Sequence, residues 1–146
     1  MSIDRILLPA AQVELAQLLN EFFYCLDEFQ YEALIALMEP EALWHRQGKI
    51  QRGAAESLAA LGQRSRTQRI RHVLTNIRVT ELDASEARTM AYMTVYKHDD
   101  GVMAQAPRTI QGPSGFLLVW THFRRHGDHW LVAEMKAVPE FQIPQA

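Results

Sequence analysis

The hydrophobic pattern of this chain changes its period near residue 69, and this change restricts the fold more than any other feature. Before it, apolar residues recur three and four positions apart from Val13 to Phe29, which predicts a helix starting near Pro9 and ending near residue 28. After it, apolar and polar residues alternate, which predicts long strands over 69–81, 86–98, 114–125 and 129–137. Helices followed by a sheet whose strands are joined by hairpins indicate an α+β fold rather than an alternating βαβ fold.

The segment between these two regions predicts shorter elements. YEALIALM predicts a second helix ended by Pro40, EALWHRQGKIQRG predicts two short strands around a turn at Gly48, and AAESLAALGQRS predicts a third helix ending near Gly62. A curved antiparallel sheet with helices on one face forms a cone. The concave interior of such a cone, apolar with a few polar groups, is the expected small-molecule site.

Size and composition narrow the class of protein. The 146 residues suit one domain, and the formal charge of −2 provides no basic surface for nucleic acid. Cys25 is the single cysteine, so no internal disulfide can form, and we expect it to pack as a small buried hydrophobic residue. The sequence shows no leader and no apolar stretch of membrane-spanning length, so we expect a soluble, cytoplasmic protein with no membrane partner.

His72 stands out in the first long strand, RIRHVLTN, because its neighbours are mostly apolar. Residues two apart share a strand face, so His72 lies on one side with Ile70, Leu74 and Asn76. Both faces of this strand are mixed, and the alternation alone does not select the inward one. His72 is either a core histidine whose hydrogen bonds are satisfied or, with Asn76, a polar group facing the cavity.

Asp27 is the natural partner for His72 if that face points inward. It lies near the end of the first helix, at the border of the apolar stripe, where a carboxylate can bind one imidazole nitrogen and leave the other as a base. Tyr24, one turn earlier, could hold a substrate oxygen. In the competing interpretation, Asp27 is a solvated residue at a helix end.

Further polar residues lie near the end of the third long strand. Arg124 and Arg125 point to opposite faces, so one of them could bind an anionic group at the cavity mouth, although charged strand ends are commonly exposed. His122, His126 and His129 invite a metal interpretation, but positions four apart on a strand are about 13 Å apart, too far to share one ion. The sequence therefore predicts no metal site.

Four stretches of the chain together resemble the SnoaL-like branch of the nuclear transport factor 2-like superfamily. They are FFYCLDEFQYEALIALMEPEALWH, KIQRGAAESLAAL, RIRHVLTNIRV and FRRHGDHWLVAEMK, and the resemblance extends from about residue 10 to residue 138. It implies a single SnoaL-like domain over 1–146. The implied fold is a cone-shaped, curved antiparallel or mixed sheet wrapped around N-terminal helices, the cystatin-like α+β roll, and members often dimerise sheet against sheet.

This branch contains enzymes similar to scytalone dehydratase and hexachlorocyclohexane dehydrochlorinase, which use an aspartate–histidine dyad without a metal or an organic cofactor. The resemblance places the aspartate in CLDEFQYEAL, at Asp27, and the histidine in RHVLTN, at His72. In some relatives an arginine in a context like FRRHGDHW assists the leaving group, which corresponds to Arg124 or Arg125.

We therefore expect a cofactor-independent lyase or isomerase of the dehydratase type, with His72 as the general base and Asp27 orienting it. The substrate would be a small hydrophobic molecule, and cyclic molecules are among the candidates. The expected substrate-binding groups are polar residues and apolar walls around the dyad: Tyr24, Asn76, Arg124 or Arg125, Phe23, Trp44, Met93 and Trp120.

The superfamily also contains non-enzymatic members, so a second hypothesis stays open. The chain could be a ligand-binding domain or a small structural subunit of a ring-hydroxylating dioxygenase-like complex, in which case Asp27 and His72 would be too far apart to hydrogen-bond. An epoxide hydrolase-like activity is a weaker alternative, because it requires a second carboxylate, for which Glu134 is the candidate. The expected partners are a small hydrophobic molecule and further copies of the chain, in a homodimer or a higher homo-oligomer.

Overall fold

Three helices and two short strands form the first half of the chain, and four long strands form the second. The computed structural model describes residues 2–103, 105 and 107–144. The elements in chain order are α1 (Leu8–Asp27), α2 (Tyr31–Ile35), β1 (Met38–Arg46), β2 (Lys49–Arg52), α3 (Gly53–Gly62), β3 (Arg69–Leu82), β4 (Glu86–His98), β5 (Gly115–His126) and β6 (His129–Phe141). The predicted α+β order is confirmed, and the four long strands lie within a few residues of their predicted bounds. The long link between β4 and β5 includes positions 104 and 106, which lie outside the described residues.

The six strands form one sheet in the order β2-β1-β6-β5-β4-β3. The four long strands pair antiparallel with their neighbours in sequence, as hairpins do. Strand β1 instead pairs parallel with β6, so the sheet is mixed. The sheet is curved and does not close into a barrel, which leaves its concave face to be covered by the helices.

Helix α1 packs against this concave face and supplies much of the core. Pro9 lies in its first turn, where a missing N–H costs nothing. The fully buried side chains of α1 meet those of the two central strands: Leu15, Leu19, Phe22, Val119, Phe123, Val132 and Met135. Cys25 is buried in the same core, as the sequence predicts. Val13, by contrast, is exposed, so the buried face of α1 is narrower than its apolar pattern.

Helix α2 is shorter than its apolar pattern predicts. It ends at Ile35, and β1 already begins at Met38, so Pro40 lies inside a strand and does not terminate the helix. Pairing of β1 with β6 is interrupted between Met38 and Leu43, and proline fits this irregularity because it has no N–H for the ladder. The carbonyl oxygen of Pro40 would lie 2.8 Å from a Cβ at Gly53, which also has a φ of +74°. Only glycine satisfies both conditions without strain.

The predicted hairpin at Gly48 is confirmed. Gln47 and Gly48 have φ values of 53° and 75°, the two left-handed positions of a tight two-residue turn. None of the helices in the described part of the chain is long and apolar enough to cross a membrane.

Candidate active site

Asp27 is the last residue of α1, and its carboxylate points into the protein. The chain reverses immediately after it: Phe29 has a left-handed φ of 60°, and the N–H of Gln30 bonds to the carbonyl of Cys25, which closes the helix end. Because α1 packs against β3 near this end, Asp27 is only 5% exposed. A buried carboxylate needs partners, and β3 provides them.

Both oxygens of Asp27 are bound by His72. The backbone N–H of His72 donates to Oδ2 at 3.0 Å, and Nδ1 of the imidazole lies 2.5 Å from Oδ1. A carboxylate accepts from a ring N–H, so this contact assigns the neutral imidazole to the Nδ1–H tautomer. The Phe23 ring, 5.2 Å from the imidazole between centroids, packs beside it. Nε2 is therefore left with its lone pair and is held in a fixed direction.

His72 lines a cavity of about 530 Å³ between α1, α3 and the concave face of the sheet. Most of the wall is apolar, and Trp44 contributes to it while being 3% exposed. The principal apolar lining residues are Phe23, Leu26, Trp44, Ile70, Met93, Leu117 and Met135. A partly enclosed cavity of this size, with a largely apolar wall and several polar groups, is typical of a small-molecule site.

Two arginines line this cavity that the sequence patterns did not single out. Arg64 donates from Nη1 to the carbonyl of Leu26 and to the hydroxyl of Tyr31, each at 2.8 Å. Arg46 stacks 4.9 Å above the centroid of the Trp44 ring, and burial, followed by the charge of Arg64, lowers the pKa of Arg46. The alternation of side chains along β1 could have predicted that Arg46 faces the cavity, because Arg46 lies on the same strand face as Trp44. Arg64 follows a helix end and carried no such signal.

Asn76 does not share the inward face of His72, contrary to the sequence-based expectation. The pairing of β3 with β4 shifts between Thr75 and Arg78, and Asn76 has a left-handed φ of 54°, which marks a β-bulge. One extra residue reverses the alternation, so Ile77 packs toward the core and Asn76 is exposed.

Two of the aromatic residues expected at the substrate site also lie outside the cavity. Tyr24 is 52% exposed, because one position beyond Phe23 turns a side chain by about 100° around the helix, past the buried arc. Trp120 is 47% exposed on the outer face of the sheet, since its neighbours Val119 and Thr121 take the inward positions.

Neither arginine of the predicted 124–125 pair enters the cavity. Arg124 forms an ion pair with Glu39 at 2.7 Å on the outer surface. Arg125 donates to the carbonyl of Gly127 and lies over the Trp130 ring at 5.8 Å. The strand end is thus occupied by surface contacts, and the cations near the dyad come from other elements.

Most of the other histidines form separate contacts with acidic residues. His122 bonds to Glu86 at 3.0 Å and His126 to Glu39 at 2.8 Å. Glu134 lies 3.5 Å from His45 and is not part of the cavity wall. Within the described ranges, no group of three or more His, Cys, Asp or Glu side chains could hold a metal ion.

Comparisons with known proteins identify the family to which the chain belongs. No curated protein sequence matches the chain. A protein of unknown function with a cystatin-like fold from Nostoc punctiforme is similar in structure, with a TM-score of 0.71 and 18% identity over 99% of this chain and 98% of that one. A nuclear transport factor 2-like protein with a cystatin-like fold from Novosphingobium aromaticivorans has a TM-score of 0.74 and 17% identity over 93% and 86%.

A protein from Catenulispora acidiphila, solved in complex with S-DNPA, has a TM-score of 0.74 and 16% identity over 90% and 95% of the two chains. At these identities the likeness establishes the fold alone. The model of the SnoaL-like domain matches residues 10–136, which is most of the sequence. The chain therefore belongs to the SnoaL-like domain family.

Proposed function

We propose that this protein is a cofactor-independent lyase or isomerase of the dehydratase type, with His72 as its general base. The observation that supports this proposal is the 2.5 Å contact between Asp27 and Nδ1 of His72, combined with the position of His72 in the cavity wall. A general base needs a free lone pair within reach of the substrate and a group that stabilises its protonated form. Nε2 of His72 provides the free lone pair, and the Asp27 carboxylate stabilises the protonated imidazole.

The reaction begins when Nε2 of His72 removes a proton from a substrate carbon next to an activating group. The electrons of the broken C–H bond then form a double bond. In an elimination they expel a leaving group, which takes the proton back from the imidazolium if it departs as hydroxide. In an isomerisation the proton returns to another carbon. In both cases the negative charge of Asp27 stabilises the imidazolium formed in between.

The apolar wall selects the body of the substrate. Phe23, Trp44 and Met93 line the cavity, and a wall of this kind favours a small cyclic or aromatic molecule. They also exclude water, which strengthens the interaction between imidazolium and carboxylate.

Hydrogen exchange provides a test that requires no knowledge of the natural substrate. A small cyclic carbon acid such as 2-tetralone is incubated with the protein in D2O, and deuterium incorporation next to the carbonyl is followed by NMR. We expect His72→Ala and His72→Gln to lose about 10²–10⁴-fold of the catalysed rate, the usual contribution of a general base. His129→Gln is the matched control, because that side chain is 63% exposed in the distant β5–β6 hairpin.

Near-wild-type exchange by both His72 variants, with the fold intact by circular dichroism, would show that another group removes the proton. Loss of exchange in the His129→Gln control would point to a general effect of histidine replacement.

The non-catalytic alternative predicts a different geometry. In that alternative, Asp27 and His72 are too far apart to form a hydrogen bond. The 2.5 Å contact between Oδ1 of Asp27 and Nδ1 of His72 therefore favours the enzymatic hypothesis over the non-catalytic one. An epoxide hydrolase-like reaction receives little support, because the cavity wall contains no second carboxylate among the described residues.

We also propose that the protein forms a homodimer through the outer face of its sheet. Large apolar side chains are exposed on this face, Trp120 at 47% and Val73 at 42%. Light scattering after size-exclusion chromatography should give twice the chain mass, and Trp120→Glu should yield the monomer. A monomeric wild-type protein would contradict this proposal.

A further inference from the structure

The charged groups of the cavity wall are almost all cationic. Arg46, Arg64 and Lys97 line the cavity together with His72, and no Asp or Glu is among its lining residues in the described ranges. Both oxygens of the Asp27 carboxylate are bound by His72, and among the described residues Asp27 forms no ion pair with these cations. The cavity wall thus carries an excess of positive charge beside its apolar residues.

Several arginines on the outer surface, in contrast, have carboxylate partners. Arg71 lies 2.8 Å from Glu28, Arg88 lies 3.1 Å from Glu81, and Arg124 is paired with Glu39. No carboxylate within ion-pair distance of Arg46 or Arg64 is found in the described part of the chain. A partly buried cation without a counter-ion is costly, and an anion from outside the chain would relieve that cost.

Arg64 is positioned like a binding group. Its Nη1 uses both N–H groups on neutral acceptors, the carbonyl of Leu26 and the hydroxyl of Tyr31, which fixes the plane of the guanidinium without neutralising it. The N–H groups on Nη2 and Nε stay available. Leu26 precedes Asp27, so this cation is attached to the same helix end that orients His72.

Arg46 approaches the same space from β1. Stacking on Trp44 holds its guanidinium against the cavity wall, and no side-chain or backbone oxygen among the described residues accepts a hydrogen bond from it. Burial and then the charge of Arg64 lower the pKa of Arg46, as expected for two cations that face one partly buried space. An anionic group between them would interact with both.

We propose that the natural substrate carries a compact anionic group, a carboxylate or a phosphate, which Arg46 and Arg64 bind while its apolar ring body lies against Phe23, Trp44 and Met93. The inference rests on the proposed function in taking this cavity as the substrate site, and it adds the chemical class of the substrate. Guanidinium groups match both anions in geometry, binding each through two parallel hydrogen bonds.

The test compares probes that share one ring system and differ in the anionic or neutral group attached to it. Binding of 2-naphthoate, 2-naphthyl phosphate and neutral 2-naphthamide is measured by titration calorimetry. Hydrogen bonds to charged groups are stronger than neutral ones, so we expect one or both anions to bind about 10- to 100-fold more tightly than the amide. The tighter of the two anions identifies the group that the site prefers.

Arg46→Gln should reduce this preference about tenfold or more and leave binding of the amide nearly unchanged. The matched control is Arg66→Gln: Arg66 lies 4.8 Å over the Phe29 ring and is not part of the cavity wall. Arg64→Lys provides a second variant that keeps the charge and loses the two-pronged geometry, and it should show an intermediate preference.

Equal binding of anions and amide, absence of binding of all three, or an unchanged preference in Arg46→Gln would overturn the inference. His72→Gln separates it from the proposed function. That variant should keep the preference for anions while losing proton exchange. If proton exchange depends on His72 but the wild-type protein binds anions no more tightly than the amide, the proposal of His72 as general base stands. Only the inference of an anionic substrate is then overturned.

Discussion

Replacing Asp27 by asparagine tests whether this residue sets the chemical state of His72. In the wild type, Oδ1 and Oδ2 both accept hydrogen bonds, from Nδ1 and from the backbone N–H of His72. Asparagine has one oxygen and one NH2 group, so it can accept only one of these bonds. If its oxygen stays on the backbone N–H, its NH2 group faces Nδ1 and donates to it. The ring proton then moves to Nε2, and the base becomes a donor.

Asp27→Asn should affect both the stability of the protein and the rate of catalysed proton exchange. Hydrogen bonds to a charged group contribute about 1.5–3 kcal/mol each, against about 0.5–1.5 kcal/mol for neutral ones, so the variant should lose roughly 1–3 kcal/mol in the free energy of unfolding. The catalysed exchange rate should fall by about 10²–10⁴-fold, because the base is no longer available. The carboxylate is 5% exposed, so water cannot easily replace the lost contact.

The assay requires no substrate. Long-range ¹⁵N–¹H NMR at about pH 9, where an ordinary imidazole is neutral, reports which ring nitrogen carries the proton. We expect Nδ1–H in the wild type and Nε2–H in Asp27→Asn, with urea unfolding giving the stability difference. An Nε2–H tautomer in the wild type, or the same tautomer and exchange rate in both proteins, would refute the assignment of roles to Asp27 and His72.

Three further predictions concern the scaffold. Gly53→Ala should destabilise the protein by about 1–3 kcal/mol in urea unfolding, because it combines a left-handed φ with a Cβ only 2.8 Å from a carbonyl oxygen, whereas Gly62→Ala has open space and should cost nothing. Asn76→Ala should lose roughly 1 kcal/mol at its left-handed bulge position, and Asn76→Gly should be close to neutral, as measured by thermal unfolding. Hydrogen bonds from the backbone N–H of Ser85, and then from that of Glu86, lower the pKa of Asp83. The Asp83 carboxyl should therefore titrate below its usual range when it is followed by NMR. Because the folded-state pKa is the lower one, Asp83 favours folding above its ordinary pKa, and this contribution disappears as the pH falls through the folded value.

The sequence predicts most of the fold because its signals are local and strong. The alternation after residue 69 locates four strands, and the spacing of apolar residues in α1 locates the main helix. Pro40 shows where local signals fail: a proline that usually ends a helix sits here in an irregular part of β1, since the parallel pairing of β1 with β6 overrides it.

The candidate site also contains residues that local signals predicted and residues that depend on tertiary packing. Asp27 and His72 were predicted from a helix border, a strand position and a family resemblance, and the structure brings them into contact. Asn76 was misplaced because a single bulge reverses strand alternation, and a bulge depends on the pairing of two strands rather than on one sequence. Arg124 and Arg125 were misplaced because their acceptors, Glu39 and Gly127, are decided by how the surface packs.

The sequence by itself determined the order of helices and strands and the α+β class, and with the family resemblance it predicted Asp27 and His72 as a pair. Only the tertiary structure decided that Arg46 from β1 and Arg64 from the segment after α3 face one cavity with His72. The physical reason is that periodicity reports which face of an element is apolar, whereas the charge of a cavity depends on which elements meet around it. Because these elements meet around the cavity, the partly buried His72 is a candidate base beside a cationic wall.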